Sequence, residues 1–307
     1  MERLVWVFLL LGAISAVQAG SISCEVPSGW HLTAATCGFL YSGGTYSAFT
    51  VPGSPATFPA GINDKGAIVG QFESDYGPSA FLNNAGVFTT FDVFGASDIN
   101  NEGQIVGSSG GHGFLYNDGA LAIIDAPGAF ATLVTGINDV GQIVGYYYDR
   151  AGIHGFVKNA SGFTIIEVPG ATETEPSGIN NAGQIVGSFT VGNLVHGFLY
   201  DGGVLTAIDV PGASRLYATG INDAGEIVGT FYDSAGGHAF LYNGGSFTTI
   251  EVPRAEGQTS ASAINNAGQV VGYFSPTIPE SGSILLVVSG LAVIYSLTSR
   301  ERRADVR

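Results

Sequence analysis

Basic residues are scarce in this chain. Only 10 of its 307 residues are lysine or arginine, against 25 aspartate and glutamate residues, which gives a formal net charge of −15 at pH 7. Residues 20–280 contain five basic and 22 acidic residues, a net charge of −17. A surface of this sign repels phosphate backbones, so nucleic acid is excluded as a partner.

Cysteine is nearly absent, since only Cys24 and Cys37 occur. A cysteine-based metal site needs more ligands than these two, so none is predicted. In an oxidising compartment we favour one disulfide between Cys24 and Cys37 over two free thiols. A Walker loop and a His-Glu-x-x-His motif are also missing. No catalytic residue, cofactor or metal ligand is therefore predicted.

The composition is poor in the residues that build long helices. Instead there are 47 glycines, 19 phenylalanines and 13 tyrosines, and 45% of the residues are hydrophobic. That hydrophobic share is ample for a buried core. Short strands joined by tight turns suit this composition, which indicates an all-β fold.

The first residues form a predicted secretory signal. Met1-Glu2-Arg3 precedes an apolar run from Leu4 to about Ile14, and Val17-Gln18-Ala19 provides the small residues that a signal peptidase recognises. We predict a signal peptide over residues 1–19, followed by an N-terminal segment over 20–36. The alternative is a short anchor that stays attached, but the run is shorter than the ~20 apolar residues that span a bilayer.

An uncharged stretch near the other end is predicted to be a transmembrane helix. Residues 281–299 carry no charge, and as a helix they would extend about 28 Å, close to the ~30 Å thickness of the hydrocarbon layer. Residues 300–307 form a basic tail that prefers the cytoplasmic side, so the body is expected outside the cytoplasm. The alternative is a hydrophobic C-terminal strand, but period-2 alternation is missing.

Three short elements recur in fixed order through the middle of the chain. The six copies of Ile-Asn are separated by 37, 38, 42, 42 and 43 residues and begin at Ile62, Ile99, Ile137, Ile179, Ile221 and Ile264. Gly-Phe-Leu-Tyr, or a close variant, places its phenylalanine at Phe39, Phe81, Phe114, Phe156, Phe198 and Phe240. Val-Pro-Gly variants begin at Val51, Val93, Ala126, Val168, Val210 and Val252. Residues 37–274 are thus six copies of one unit.

One unit is predicted to contain four short strands. Between His196 and Gly237, strands are predicted over 197–200, 204–210, 216–221 and 226–232, with a hairpin turn at Asp201-Gly202. Gly225 is expected to take the left-handed conformation in the turn before the fourth strand. Four strands in about 42 residues are typical of a propeller blade.

These units predict a six-bladed β-propeller over residues 37–274. No single blade buries its apolar face, so the six must stack, and a ring leaves only short edges. The two ends of the repeat hold complementary halves of a unit, which predicts that the last blade takes two strands from each end. An open β-solenoid is the alternative.

Two parts of the sequence resemble known families. Ile278-Pro279-Glu280-Ser281, in a linker over 275–283, together with the apolar segment and the arginines after it, resembles the PEP-CTERM sorting tail. This resemblance implies a sorting motif made of Pro279, Glu280, Ser281, Arg302 and Arg303, and an exosortase-type enzyme and extracellular polysaccharide as partners. His238-Ala239-Phe240 and its His-Gly-Phe variants resemble the extracellular HAF repeat, which implies export rather than any reaction.

Four histidines recur 13 residues before an acid. The pairs are His112 and Asp125, His154 and Glu167, His196 and Asp209, and His238 and Glu251. Imidazole and carboxylate are both metal ligands, so a metal ring is one interpretation. We favour a structural pair that hydrogen-bonds adjacent strands. The repeated Asn-Asp and Asn-Asn turns offer too few oxygens per loop for calcium, and these residues favour turns on their own.

The function expected from these patterns is a non-enzymatic one. Nearly all acids fall at repeated positions, whereas a catalytic pair should break the repeat. We therefore expect a structural or binding component of the cell surface or exopolysaccharide matrix, either anchored in the inner membrane or sorted to the surface. The alternatives are a propeller enzyme, a glycan hydrolase or lyase, and a simple anchored periplasmic protein.

Overall fold

The computed structural model describes residues 10–11, 15–16, 36–91, 93, 95–253, 255–276, 284–288 and 291–295. Every regular element in these ranges is a β-strand, which confirms the all-β prediction. The remaining residues include the predicted cleavage site, Cys24 and the Pro279–Ser281 motif with Arg302 and Arg303, which all lie outside the described part.

The strands are numbered in chain order. The first four are β1 (Leu10–Leu11), β2 (Ser15–Ala16), β3 (Cys37–Ser42) and β4 (Thr45–Phe49). Unit 1 contains β5 (Thr57–Ile62), β6 (Ile68–Ser74), β7 (Gly77–Asn84) and β8 (Val87–Phe91), and unit 2 contains β9 (Ala96–Ile99), β10 (Ile105–Ser109), β11 (His112–Asn117) and β12 (Ala120–Ile124). Unit 3 contains β13 (Ala131–Ile137), β14 (Ile143–Tyr148), β15 (Ile153–Asn159) and β16 (Gly162–Ile166). Unit 4 contains β17 (Glu173–Ile179), β18 (Ile185–Val191), β19 (Leu194–Asp201) and β20 (Val204–Ile208), and unit 5 contains β21 (Arg215–Ile221), β22 (Ile227–Asp233), β23 (Gly236–Asn243) and β24 (Ser246–Ile250). Unit 6 begins with β25 (Ala255–Ile264) and β26 (Val270–Pro276), and β27 (Ile284–Val288) and β28 (Leu291–Tyr295) follow.

Each unit is an antiparallel meander in which consecutive strands pair. In unit 3, β13 pairs with β14, β14 with β15, and β15 with β16. Unit 6 takes strands from both ends of the repeat, because β26 pairs with β3 and β3 pairs with β4. The first strands of the units contact one another in a closed series that runs β5, β9, β13, β17, β21, β25 and back to β5. These first strands therefore surround a common axis.

The core of each unit is a phenylalanine that covers a glycine on the neighbouring strand. Phe156 lies opposite Gly145, and the same register recurs in every unit. The six phenylalanines are at most 2% exposed: Phe39, Phe81, Phe114, Phe156, Phe198 and Phe240. Burying one such ring stabilises the fold by roughly 1.5–3 kcal/mol. The Gly-Phe pattern of the sequence thus marks the third strand of each unit.

The strands predicted between His196 and Gly237 agree with the observed ones to within three residues. Its hairpin turn lies one residue later than predicted, because Asp201 pairs with Val204 and the turn is Gly202-Gly203. Both glycines have positive φ, 55° and 95°, which a two-residue hairpin of this type requires. Gly225 has φ 77°, as predicted for the turn before the last strand.

Residues 277–307 form a compact part of the chain of their own, outside the six repeated units. Where transmembrane helix 281–299 is predicted, the described residues form β27 and β28, which pair with each other. Both strands are rich in Ile and Val, whose branched side chains favour strands. Among the described residues no helix is long and apolar enough to span a bilayer. The helix is therefore not shown, and it stays a prediction.

Candidate active site

One end of the axis is closed by the Asn-rich turns. The first asparagine of each turn is buried, and its side chain amide donates to the main-chain oxygen of the next turn. Each asparagine donates to the next one in the series Asn63, Asn100, Asn138, Asn180, Asn222 and Asn265, and Asn265 donates back to Asn63. The cycle links residues at opposite ends of the repeat, so it holds the first and last units together.

A second cycle is formed by the residues that follow those asparagines. Around the axis they alternate between acid and amide in the order Asp64, Asn101, Asp139, Asn181, Asp223 and Asn266. Asn181 donates to Oδ2 of both Asp139 and Asp223, at 2.9 and 3.0 Å. Partial burial raises the pKa of Asp139, but hydrogen bonds from Asn101 and Asn181 outweigh this effect and lower it. The carboxylates of this end are thus occupied by amide donors.

The opposite end of the axis opens into a cavity of about 770 Å³, here called the funnel. Its wall comes from the first and second strands of the units. A β-bulge in the first strands, for example between Val134 and Gly136, adds a residue at this level. Bulges re-aim side chains, and the Thr135 hydroxyl donates to the Pro176 oxygen of the next unit at 2.8 Å.

The six units differ from one another on the funnel wall. At or directly before its first strand, each unit contributes a different residue: Phe58, Gly95, Leu133, Glu175, Tyr217 and Ser260. The second strands contribute Gln71, Ser108, Tyr146, Ser188, Thr230 and Tyr273. No lysine or arginine lines the described wall. Aromatic rings, hydroxyls and one carboxylate in a concave site are typical of small-molecule recognition.

Glu175 is the acid of this wall. Burial raises the pKa of its carboxyl, and the charge of Glu173, two residues earlier on the same face of β17, raises it further. Burial, followed by the nearby charge of Glu175, also raises the pKa of Tyr146. The Tyr146 phenol therefore keeps its proton and can donate it in a hydrogen bond, while Glu175 holds its own proton at a higher pH than usual.

Asp98 lies between the funnel and the Asn-rich turns. It replaces the glycine that precedes Ile-Asn in most units and is partly buried. Its two oxygens accept the backbone N–H groups of Ile99, at 2.8 Å, and of Ile137 in the next unit, at 3.0 Å. Burial raises the pKa of Asp98 to about 7, although both hydrogen bonds lower it.

Asp98 is expected to make stability depend on pH. Since its pKa rises from 3.8 to about 7 on folding, its favourable contribution is complete below pH 3.8 and is lost as the pH rises through 7. One pKa unit corresponds to ~1.4 kcal/mol, so the loss amounts to about 4 kcal/mol at most. Urea unfolding at pH 4, 6 and 8 should show a shallower decline for Asp98→Asn than for the wild type. Parallel declines would contradict this assignment.

The repeated histidines lie on the third strands, away from the funnel wall. Nδ1 lies 3.0 Å from the acid in His112–Asp125 and in His154–Glu167, and 2.6 Å from it in His196–Asp209. For His238 the structure instead places Nε2 3.3 Å from Asp233, and the described residues show no bond between His238 and Glu251. Rings pack on these imidazoles, as Phe189 does on His196 at 5.2 Å.

The structure also shows the surroundings of Cys37 and of a Gly-x-Ser-x-Gly match in the sequence. Cys37 is buried and disulfide-bonded. Residues 107–111 match Gly-x-Ser-x-Gly, but Gly110-Gly111 form the turn between β10 and β11, whereas a nucleophile elbow needs a strand-to-helix turn. Among the described residues no group of three or more His, Cys, Asp or Glu could hold a metal ion.

No protein-family model matches the chain, and no curated protein matches it. Among solved structures, it is similar to a putative TolB from Agrobacterium tumefaciens, with TM-score 0.61 and 8% identity over 80% of this chain and 100% of that one. A virginiamycin B lyase from Staphylococcus aureus with quinupristin has TM-score 0.48 and 16% identity over 84% and 88%. A gluconolactonase from Xanthomonas campestris has TM-score 0.47 and 14% identity over 72% and 86%. The fold is β-propeller-like.

The expectation of a non-enzymatic surface component, and with it the prediction that the chain is not an enzyme, is corrected, because the funnel wall carries a partly buried acid whose pKa is raised. That expectation rested on acids at repeated positions. Glu175 shows why the reasoning failed, because it lies at a funnel position where every unit has a different residue. Glu173-Thr174-Glu175 is visible in the sequence as an acidic departure from the repeat. Its position on the funnel wall is not.

Proposed function

We propose that this chain is a propeller enzyme that hydrolyses a neutral extracellular glycan in the funnel. The observation that carries the proposal is Glu175, a partly buried carboxyl with a raised pKa in a wall of tyrosines and hydroxyls. A wall without cations, on a chain of net charge −15, favours a neutral substrate over a uronate or a phosphate.

Glycoside hydrolysis uses two carboxyl groups with different protonation. Glu175, with its raised pKa, is suited to protonate the leaving oxygen as general acid. Glu173 lies two residues earlier on the same face and accepts a hydrogen bond from the Thr190 hydroxyl at 3.0 Å, which holds its carboxyl group in place. Glu173 would then activate a water or stabilise the developing positive charge. Tyr146 would orient the sugar through its protonated phenol.

Replacement of Glu175 tests this proposal. Removing a general acid lowers kcat by about 10²–10⁴-fold, so Glu175→Gln should lose this much activity in a reducing-end assay on neutral polysaccharides, with an unchanged Tm. Its matched control is Glu167→Gln, which alters a mostly exposed acid outside the funnel wall and should keep full activity. Equal activity of the wild type and Glu175→Gln would rule out this role.

A six-bladed ring is part of the same proposal. It is supported by the closed contact series of the first strands and by the bond from Asn265 to Asn63. An open solenoid would leave its first and last units apart. The completion of unit 6 by β3 and β4 supports a ring closed by both ends of the repeat.

Export is the remaining part of the proposal. The predicted signal peptide over 1–19 and the disulfide at Cys37 support delivery to an oxidising compartment. The PEP-CTERM-like tail supports either surface sorting by an exosortase-type enzyme or anchoring in the inner membrane. Intact mass after membrane fractionation distinguishes these outcomes. A chain ending near Pro279–Ser281 supports sorting, a chain with Arg307 in the inner membrane supports anchoring, and a cytoplasmic chain that keeps Met1 rules out export.

A further inference from the structure

Unit 2 is shorter than its neighbours at the rim of the funnel. Phe91 and Asn100 are nine positions apart. Fourteen positions separate the corresponding residues Phe49 and Asn63, Ile124 and Asn138, Ile166 and Asn180, and Ile208 and Asn222. First strands begin at the funnel end, since their later residues lead to the Asn-rich turns. The five missing residues are therefore missing from the rim.

The hairpin between the second and third strands of unit 2 is shortened as well. Asn100 and His112 are 12 positions apart, whereas 16 positions separate Asn138 and His154 in unit 3. Second strands end at the funnel, where Tyr146 and Ser108 line the wall, so this hairpin also belongs to the rim. Two independent deletions thus lower the same part of the wall.

The side chains that unit 2 contributes are small, while those of units 5, 6 and 1 are large. Unit 2 contributes Gly95, Ala96, Ser97 and Ser108 to the wall. Units 5, 6 and 1 contribute Tyr217, Tyr232, Tyr273 and Phe58, and the Phe58 and Tyr273 rings pack edge to face at 5.3 Å. Unit 2 thus combines shortened rim segments with small side chains.

A hydrogen bond to a partly buried side chain connects the shortened unit 2 to unit 3. Asp98 occurs in unit 2 and bonds its first strand to Ile137 of unit 3. Gly61 of unit 1 makes room for it, because a Cβ on Gly61 would lie 2.6 Å from the Asp98 Cα atom. The ring thus stays intact although the rim is lower.

Two exposed aromatic rings belong to the neighbours of unit 2. Tyr76, in the β6–β7 hairpin of unit 1, is fully exposed, and Phe130, directly before β13 of unit 3, is 68% exposed. Both belong to rim segments. An exposed aromatic side chain loses apolar hydration when a flat, partly apolar partner covers it. A pyranose ring is such a partner.

We propose that unit 2 is the exit of the funnel for a linear neutral polysaccharide, with Tyr76 and Phe130 packing against sugar rings outside the cavity. This inference rests on the proposed function and deepens it. A cavity of about 770 Å³ holds a ligand of drug size, so a polymer that enters the funnel needs a low place in the wall. The substrate class is therefore a glycan chain longer than the cavity.

The test compares short and long probes on catalytically silenced protein. In a Glu175→Gln background, binding of glucose, maltohexaose and cellohexaose is measured by titration calorimetry. Tyr76→Ala and Phe130→Ala should each weaken the binding of the six-unit probe at least about fivefold and leave that of glucose unchanged. Replacing Gly110-Gly111 with residues 148–153, which restores the longer hairpin, should weaken it at least about tenfold. Leu194→Ala, at an exposed rim position of unit 4, is the matched control and should change neither.

The outcomes separate this inference from the proposed function. If no probe of any length binds, the neutral-glycan site itself is wrong, and the exit falls with it. If the probes bind but the variants weaken glucose and the six-unit sugars equally, or change neither, the funnel is a sugar site and the exit at unit 2 is wrong. A loss confined to the six-unit probe supports the exit.

Discussion

Gly145→Ala is expected to lower the free energy of unfolding by about 3 kcal/mol or more. A Cβ at this position would overlap the backbone oxygen of Leu133 and lie 3.0 Å from the Phe156 ring. Neither neighbour can move easily, because Phe156 is fully buried and Leu133 lies in the first strand. In a domain of this size the loss corresponds to a drop in Tm of about 6–12 °C, measurable by circular dichroism.

Gly95→Ala is the matched control for this substitution. Its Cβ would meet only the end of the flexible Gln71 side chain, at 3.1 Å. We expect a change in Tm of no more than about 2 °C. Similar losses in the two variants would show that loss of glycine, rather than the crossing of Phe156 over β14, is responsible.

Asp139→Asn is expected to lower the free energy of unfolding by about 1–3 kcal/mol. Oδ2 of Asp139 accepts the side chain amides of Asn101 and Asn181, at 2.8 and 2.9 Å. In the variant one of the two oxygens becomes an NH2 group, which can only donate. With the remaining oxygen on the Asn101 backbone N–H, this NH2 group would lie between the two amide donors. The alternation of acid and amide around the axis is thus predicted to be a requirement of the ring. Urea unfolding at pH 7 measures the effect.

Reversing the phase of the whole alternation is the control for that prediction. A variant with all three acids changed to asparagine and all three asparagines to aspartate keeps every donor opposite an acceptor, because the number of positions is even. The six positions are Asp64, Asn101, Asp139, Asn181, Asp223 and Asn266. Its stability should lie within about 1 kcal/mol of the wild type. A six-site variant less stable than Asp139→Asn would contradict the alternation account.

The fold could be predicted from the sequence because the same residues recur where the same physics applies. Phe156 and its counterparts mark the third strands, and the asparagines of the Ile-Asn elements mark the turns, each satisfied by local bonds such as those from Lys65 and Ala67 to Asn63. The transmembrane helix and the signal peptide concern parts of the chain that the structure describes only in short stretches, so both stay predictions.

The site could not be predicted because it depends on closure of the ring. Glu175 and Tyr146 belong to different units, and only the axis brings them together. The bulge before Gly136 also shifts the alternation of the first strand, so counting inward and outward positions from the sequence assigns the wrong face. The spacings of 37 and 38 are visible in the sequence. That the residues missing from unit 2 all belong to the funnel rim follows only from the directions of the strands.

The central claim is that the funnel binds a glycan at Glu175, and a crystal structure of Glu175→Gln grown with cellohexaose or maltohexaose tests it most directly. The account predicts sugar rings against Tyr217 and Tyr146, a glycosidic oxygen within about 3 Å of the side chain at position 175, and the remaining rings leaving between Tyr76 and Phe130. Sugar bound only on the outer strands, with an empty funnel, would contradict it.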